Sequence, residues 1–406
     1  MNFATRRWLY LAVALMICVC AGIGYSWSVF QNPIVKNFGW SALDVSLTFT
    51  LQIAASTLTP LLIGGLVNKM PTKQVILAGG LIYGLCVSAT GYMQSLIQLY
   101  LLYGIGTGIG VGMIYPCLMA YAVKLFPDKK GLSAGLLAAS YGSGAIIFAP
   151  IAAQIIAAYG VLAAFKALGS IFLVVICVLS RVIGDPPEAV SVANNSGLTA
   201  AKATGGLDKT RSEMVRSPIF YVVLALFTLG TTSGLMLMGS ASPILQQILK
   251  VTPAQAAFIV GILAVFNTCG RLFWGWISDR IGRYPVMFSL FACIGVAMFT
   301  LAAVDSYPAF IGAMLLVGLC YGGFTTMIAP VTADMFGTKN LSANYGLMYI
   351  AYGFAGILGP RLAVSLGDYS QAFIAAAMLS LAGILLTALI QRLTRSKNPK
   401  WELKSG

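Results

Sequence analysis

A single arginine, Arg271, stands inside the long apolar run Ala264 to Ile281 (AVFNTCGRLFWGWISDRI), with Asn267 one helical turn before it. At a spacing of four, the two side chains share one helix face. A guanidinium is a planar fork of N–H donors that matches a carboxylate, and an amide beside it can complete the hydrogen bonds of a bound oxyanion. A cation held near a bilayer centre costs about 2.5–3.5 kcal/mol by insertion scales, so such a residue is expected to line a water-filled cavity. The alternative is a structural arginine that pairs with a helix C-terminus, and the spacing alone leaves both open. The run closes on a second set of charges, Asp279, Arg280 and Arg283.

The elements that hold these residues follow from composition. The 406 residues are 59% hydrophobic and only 9% charged, more apolar surface than a water-soluble globule of this size can hide. The apolar runs extend over 20 or more residues and contain Gly and Pro, which fits membrane helices and not the short alternating strands of a barrel. The expected fold is an all-α membrane protein of twelve transmembrane helices, near 8–30, 43–67, 74–94, 97–123, 132–158, 161–182, 219–246, 254–278, 285–304, 308–335, 342–366 and 371–391. Of 25 lysines and arginines, only Lys36 and Lys250 fall in outer loops and only Lys166, Arg271 and Arg361 within spans. The rest lie on the side of the termini, which by the positive-inside rule places both termini in the cytoplasm of a multi-pass protein in a bacterial-type plasma (inner) membrane. The net charge of +14 therefore reports topology, and nucleic-acid binding is excluded. The first apolar run is too long for a signal-peptide core and is expected to be retained as the first span.

Two pairs of segments match at one offset of 211 residues. Gly64, Asn68 and Lys69 fall on Gly275, Asp279 and Arg280, and Gly135–Gly142 (GLLAASYG) falls on Gly346–Gly353 (GLMYIAYG). The chain thus divides into two pseudo-symmetric six-helix halves, residues 1–183 and 218–395, joined by a polar linker, 184–217, and followed by a tail, 396–406. The glycines of the fourth span, Gly104 to Gly112, lack the Gly-Lys-Ser/Thr of a phosphate loop and suit close helix packing. All eleven acids can be placed at span ends, in short loops, in the linker or in the tail, and there is no histidine. The eight cysteines lie singly in spans without metal-type spacing. No metal or cofactor is expected, and a membrane enzyme would lack its nucleophile or acid–base pair.

The turn G-x-x-x-D-[RK]-x-G-[RK], intact from Gly275 to Arg283, resembles the signature of the major facilitator superfamily. Its first copy departs, with Asn68 for the acid and Pro71 for glycine. GxxYSWSxFxNP in the first span, FPDKKGLSAG before the fifth and NYGLMYIAYG in the eleventh resemble the oxalate/formate antiporter family, relatives of the monocarboxylate transporters. The resemblance implies carriage of small carboxylates by alternating access. It places the carboxylate-binding arginine on Arg271 and an aromatic cage on Tyr25, Tyr115, Tyr141 and Tyr321. Two positions differ from the oxalate carrier, with Tyr352 in place of a second-cation lysine and Thr325 in place of a tyrosine one turn beyond Tyr321. The Asn267/Arg271 pair resembles bacterial lactate-type carriers.

One fixed cation suits a monoanion, because a second carboxylate would be desolvated without a partner. The expected substrate is a monocarboxylate such as lactate, pyruvate or formate, with a counter-anion or an accompanying proton as the coupled species and a monomer as the working unit. Asp279, Arg280, Arg283, Asn68, Lys69 and Arg361 are expected to act in gating. The rival readings are an oxalate/formate-type exchanger, a drug exporter, disfavoured by the lack of a membrane acid, and a sensor on the same fold.

Overall fold

A computed structural model describes residues 3–67, 70–184, 208–304, 306–365 and 369–397. Among the described residues every regular element is helical. In chain order they are α1 (Phe3–Ala21), a 3-10 segment (Gly22–Ser26), α2 (Trp27–Phe38), α3 (Ala42–Val67), α4 (Thr72–Thr90), α5 (Leu96–Leu99) and a π segment (Tyr100–Gly106). They continue as α6 (Thr107–Leu125), α7 (Lys130–Tyr159), α8 (Val161–Val182), α9 (Arg211–Val215), α10 (Pro218–Ile248) and α11 (Pro253–Ile281). The last are α12 (Arg283–Ala303), α13 (Tyr307–Phe336), α14 (Leu341–Met348), α15 (Ile350–Ser365) and α16 (Tyr369–Lys397).

Eleven described stretches are long and apolar enough to cross a membrane. The run expected at 342–366 forms the consecutive helices α14 and α15, neither of them long enough alone, with the chain turning at Tyr349. There the Tyr352 N–H donates to the Tyr349 carbonyl at 3.0 Å, an i to i+3 bond that tightens the backbone locally. Large apolar side chains stand exposed along the helices, among them Leu62, Val174, Phe299 and Leu385. In water that surface would drive aggregation, whereas against lipid it carries no penalty.

The helices cluster into two compact units. One contains residues 1–127, 136–187 and 340–347, and the other contains 128–135, 188–339 and 348–406. Within the first, α3 packs on α6, and α4 packs on α6 and α8. Within the second, α11 packs on α13, and α12 packs on α13 and α16. At the 211-residue offset, α3, α4, α6 and α8 fall on α11, α12, α13 and α16.

Glycines set the closest approaches. In the first unit, a Cβ on Gly108 would stand 2.6 Å from Ala55 Cβ, which fits the packing role expected of this glycine row. In the second, a Cβ on Gly322 would overlap the Asn267 carbonyl oxygen, and one on Gly270 would overlap that of Leu319. The ends of α11 and α13 are set by Gly282 and Gly337, at φ +90° and +89°, a region that L side chains rarely adopt. Gly322→Val should therefore force α11 and α13 apart and destabilise the fold by about 1–3 kcal/mol. A lowered melting temperature would report this, with Gly261→Ala, where nothing lies within 4 Å of the added methyl, as the neutral control.

Candidate functional site

The register of α11 is set at its start. Thr252 and Gln255 form a capping box, the Gln255 N–H donating to Thr252 Oγ1 at 3.3 Å and the Thr252 N–H to Gln255 Oε1 at 3.0 Å, and Pro253 opens the first turn. Arg271 then lies ten residues before Ile281, about 15 Å along the axis at 1.5 Å per residue. Arg271 and Asn267 are each 5% exposed. Arg271 Nε donates to Asn267 Oδ1 at 3.0 Å, a contact that their shared helix face permits. With Oδ1 committed to the guanidinium, the amide orientation is determined, and Asn267 Nδ2 is left buried with no hydrogen-bond partner among the described residues. Acids in the membrane stretches keep to their ends: Asp44 opens one, and Asp279 and Asp334 are each third from the last residue of theirs.

α13 covers this pair. Gly322 lets it pass over the backbone at Asn267 and Arg271, and Thr326 Oγ1 donates to the Arg271 carbonyl at 3.4 Å. Thr325, 8% exposed, donates to the Gly322 carbonyl at 2.9 Å, so its hydroxyl proton is used within its own helix. Tyr321 is buried, with its ring against Gly234 of α10. Tyr352 is buried and stacks on Tyr349 with ring centroids 5.2 Å apart and planes within 10°. In the first unit, Tyr115 and Tyr141 are in ring contact, centroids 4.7 Å apart at 48°. The side chain of Tyr25 lies outside the described residues, though its backbone belongs to the 3-10 segment. Asn68 and Lys69 also lie outside them.

A second constellation surrounds the end of α11. The Asp279 carboxylate accepts from the Gly131 N–H at 2.9 Å and the Leu132 N–H at 2.8 Å, which satisfies the first donors of α7 and places a negative charge at the positive end of that helix. Arg283 Nη1 binds Asp279 at 2.9 Å, and its Nε binds Asp334 at 3.2 Å. Lys130 Nζ meets the other Asp334 oxygen at 2.5 Å. The four charges sum to zero, and their side chains are between 13% and 32% exposed. Lys130 and Asp334 were not among the residues expected to gate. Their sequence signal was only that of loop charges, because the partners lie 204 positions apart. Arg280 instead lies over the Trp276 ring at 3.8 Å, and Arg361 is exposed on α15.

Comparison with known proteins adds to this geometry. A family model described as Major Facilitator Superfamily matches residues 12–239 and 224–404. An oxalate:formate antiporter of Oxalobacter formigenes is 32% identical over 96% of this chain and 93% of its own. Monocarboxylate transporter 12 of Rattus norvegicus is 24% identical over 94% of this chain and 84% of its own. The crystal structure of FucP, a transporter of the same superfamily in the outward conformation, superposes with a TM-score of 0.73 at 14% identity, covering 95% of this chain and 99% of that one.

The charge network makes a direct prediction. Removing one member, as in Lys130→Met or Asp334→Leu, should cost about 1–3 kcal/mol because it strands a half-buried partner. The double substitution should cost less than the sum of the two single ones, and a thermal-melt double-mutant cycle reads that coupling. Asp279→Ala, which also uncaps α7, should cost at least as much as either single change.

Proposed function

Because the chain belongs to the major facilitator superfamily and is a membrane transporter, not an enzyme, we propose that it carries small organic anions, and monocarboxylates such as lactate, pyruvate or formate before dianions. The observation that carries this reading is the buried Arg271–Asn267 pair at the middle of α11, in stretches whose acids stand only at their ends. A carboxylate would bring a negative charge to the guanidinium, its oxygens taking donors from it and from Asn267 Nδ2, which has no acceptor among the described residues. Tyr25, Tyr115, Tyr141 and Tyr321 enter the proposal as hydroxyl and ring contacts, with Thr325 and Tyr352 as the residues that tune selectivity. Relatives named for oxalate:formate antiport and for monocarboxylate transport support the substrate class.

The mechanism follows from desolvation. Closing the site around a guanidinium costs solvation, while a bound monoanion brings a counter-charge and lowers the barrier to alternating access. Slow empty closure favours exchange, or entry of a proton together with the substrate. The gating role of Asp279, Arg280 and Arg283, the monomeric state and the orientation with both termini in the cytoplasm of a bacterial-type inner membrane belong to the same proposal. Arg271→Ala should abolish uptake of labelled lactate into proteoliposomes, a fall of at least a hundredfold, and undiminished uptake would end the reading.

The relative at 32% identity favours a second reading, an oxalate/formate-type exchanger. The discriminating position is Tyr352, where the resemblance implies a lysine in the oxalate carrier. Thermal shifts with lactate, pyruvate, formate and oxalate should show stabilisation by the monoanions. Tyr352→Lys should then raise the affinity for oxalate relative to lactate by about tenfold, since a second buried cation compensates the second carboxylate. Stronger stabilisation of the unaltered protein by oxalate would favour the exchanger.

A further inference from the structure

In the first unit, two stretches of helix lose their regular geometry on either side of a ring contact. α1 gives way to the 3-10 turns of Gly22–Ser26, and α5 passes into the π segment Tyr100–Gly106. Trp27 and Tyr103 meet there with ring centroids 4.8 Å apart. α3 joins them through Gln52, whose amide lies so near Gly24 that a Cβ there would stand 3.2 Å from both its oxygen and its nitrogen. Gln52 Nε2 donates to Thr107 Oγ1 at 3.0 Å, and the Thr107 hydroxyl donates to the Tyr103 carbonyl. Thr48, one turn before Gln52, sets its own carbonyl 3.3 Å from where a Cβ on Gly104 would be.

Four polar atoms in this knot are buried and have no hydrogen-bond partner among the described residues: Ser26 Oγ, Trp27 Nε1, Thr48 Oγ1 and the Tyr103 hydroxyl. Their residues are 2%, 4%, 0% and 1% exposed. Phe165 closes the apolar side, its ring 5.5 Å from that of Tyr103 and 4.7 Å from that of Phe30. Buried groups of this kind are normally paired, and 3-10 or π geometry inside a helix normally marks a hinge or a functional position. One unmet group is a local packing defect. Four of them gathered where two irregular segments meet carry a penalty that another arrangement of the same residues can relieve.

We propose that this knot is the dry form of a hydration site. In the alternative conformation of the transport cycle the 22–26 and 100–106 segments re-register, water enters, and Ser26, Trp27, Thr48 and Tyr103 gain the partners they lack here. Water is the ligand that matches three hydroxyls and an indole N–H, since a set with no formal charge neither neutralises an ion nor needs one. The penalty of the dry state biases the equilibrium between conformations, so the four residues govern how readily the first unit rearranges. None of them is among the residues assigned to the carboxylate.

Thr48→Val and Tyr103→Phe delete two unmet hydroxyls at nearly constant shape, and the full-length protein in detergent provides two readouts. The melting temperature should rise by about 2–4 °C for each change, since a buried unsatisfied group is replaced by an apolar one. Modification of Ser26→Cys by a water-soluble maleimide, located by peptide mass spectrometry, should slow several-fold when the two substitutions are combined with it. A fall in melting temperature would mean that the hydroxyls are paired, and an unchanged labelling rate would mean that the knot does not admit water; either result overturns the proposal. Failure of the combined variant to fold counts as the first of these, and Thr48→Val alone, the more conservative change, must show the same sign. Neither readout requires the substrate, so failure here is distinct from failure of the carboxylate reading.

Discussion

A guanidinium taken out of water inside a bilayer loses solvation that only fixed dipoles or a counter-charge can replace, and the membrane stretches around Arg271 hold their acids at the ends. One neutral group stands directly on the charge. Asn267 accepts from Nε, and the close approach of α13 at Gly322 excludes lipid from the backbone beside it. This hydrogen bond orients the guanidinium through a neutral amide, whose Nδ2 has no hydrogen-bond partner among the described residues.

At the end of the same helix the opposite solution is used. Asp279, Arg283, Asp334 and Lys130 neutralise one another, and Asp279 also satisfies the first N–H groups of α7. The segment that contains those groups, residues 128–135, belongs to the same compact unit as α11. Its Gly135 lies against the Arg271 carbonyl, so one stretch of chain touches both the backbone at Arg271 and the charge network.

Helix irregularity is distributed with similar economy. Backbone that leaves α geometry at membrane depth is tolerated only where protein or water satisfies it. Among the described residues it occurs at Gly22–Ser26, at Tyr100–Gly106 and at Tyr349, each beside a pair of aromatic rings in contact. The Tyr349 turn also lies close to the point where the chain passes from one compact unit to the other, between residues 347 and 348.

Much of this was legible in the order of residues. A bilayer admits only backbone that satisfies itself, so apolar run length alone determined the helical class and most of the spans. The spacing of Asn267 and Arg271 puts them on one helix face, because four residues along a helix is a local distance, but the hydrogen bond between them was not read from it. What the order of residues could not carry was any contact that depends on which helices meet. Asp334 bonds residues 51 and 204 positions away, Asp279 caps a helix 148 positions earlier, and the unmet donors at Ser26, Thr48 and Tyr103 gather from three helices. The split at Tyr349 is of the same kind, since an apolar run of sufficient length reads as one helix. Local spacing and solvent preference are written along the chain, whereas these features arise only when tertiary packing brings distant segments within bonding range.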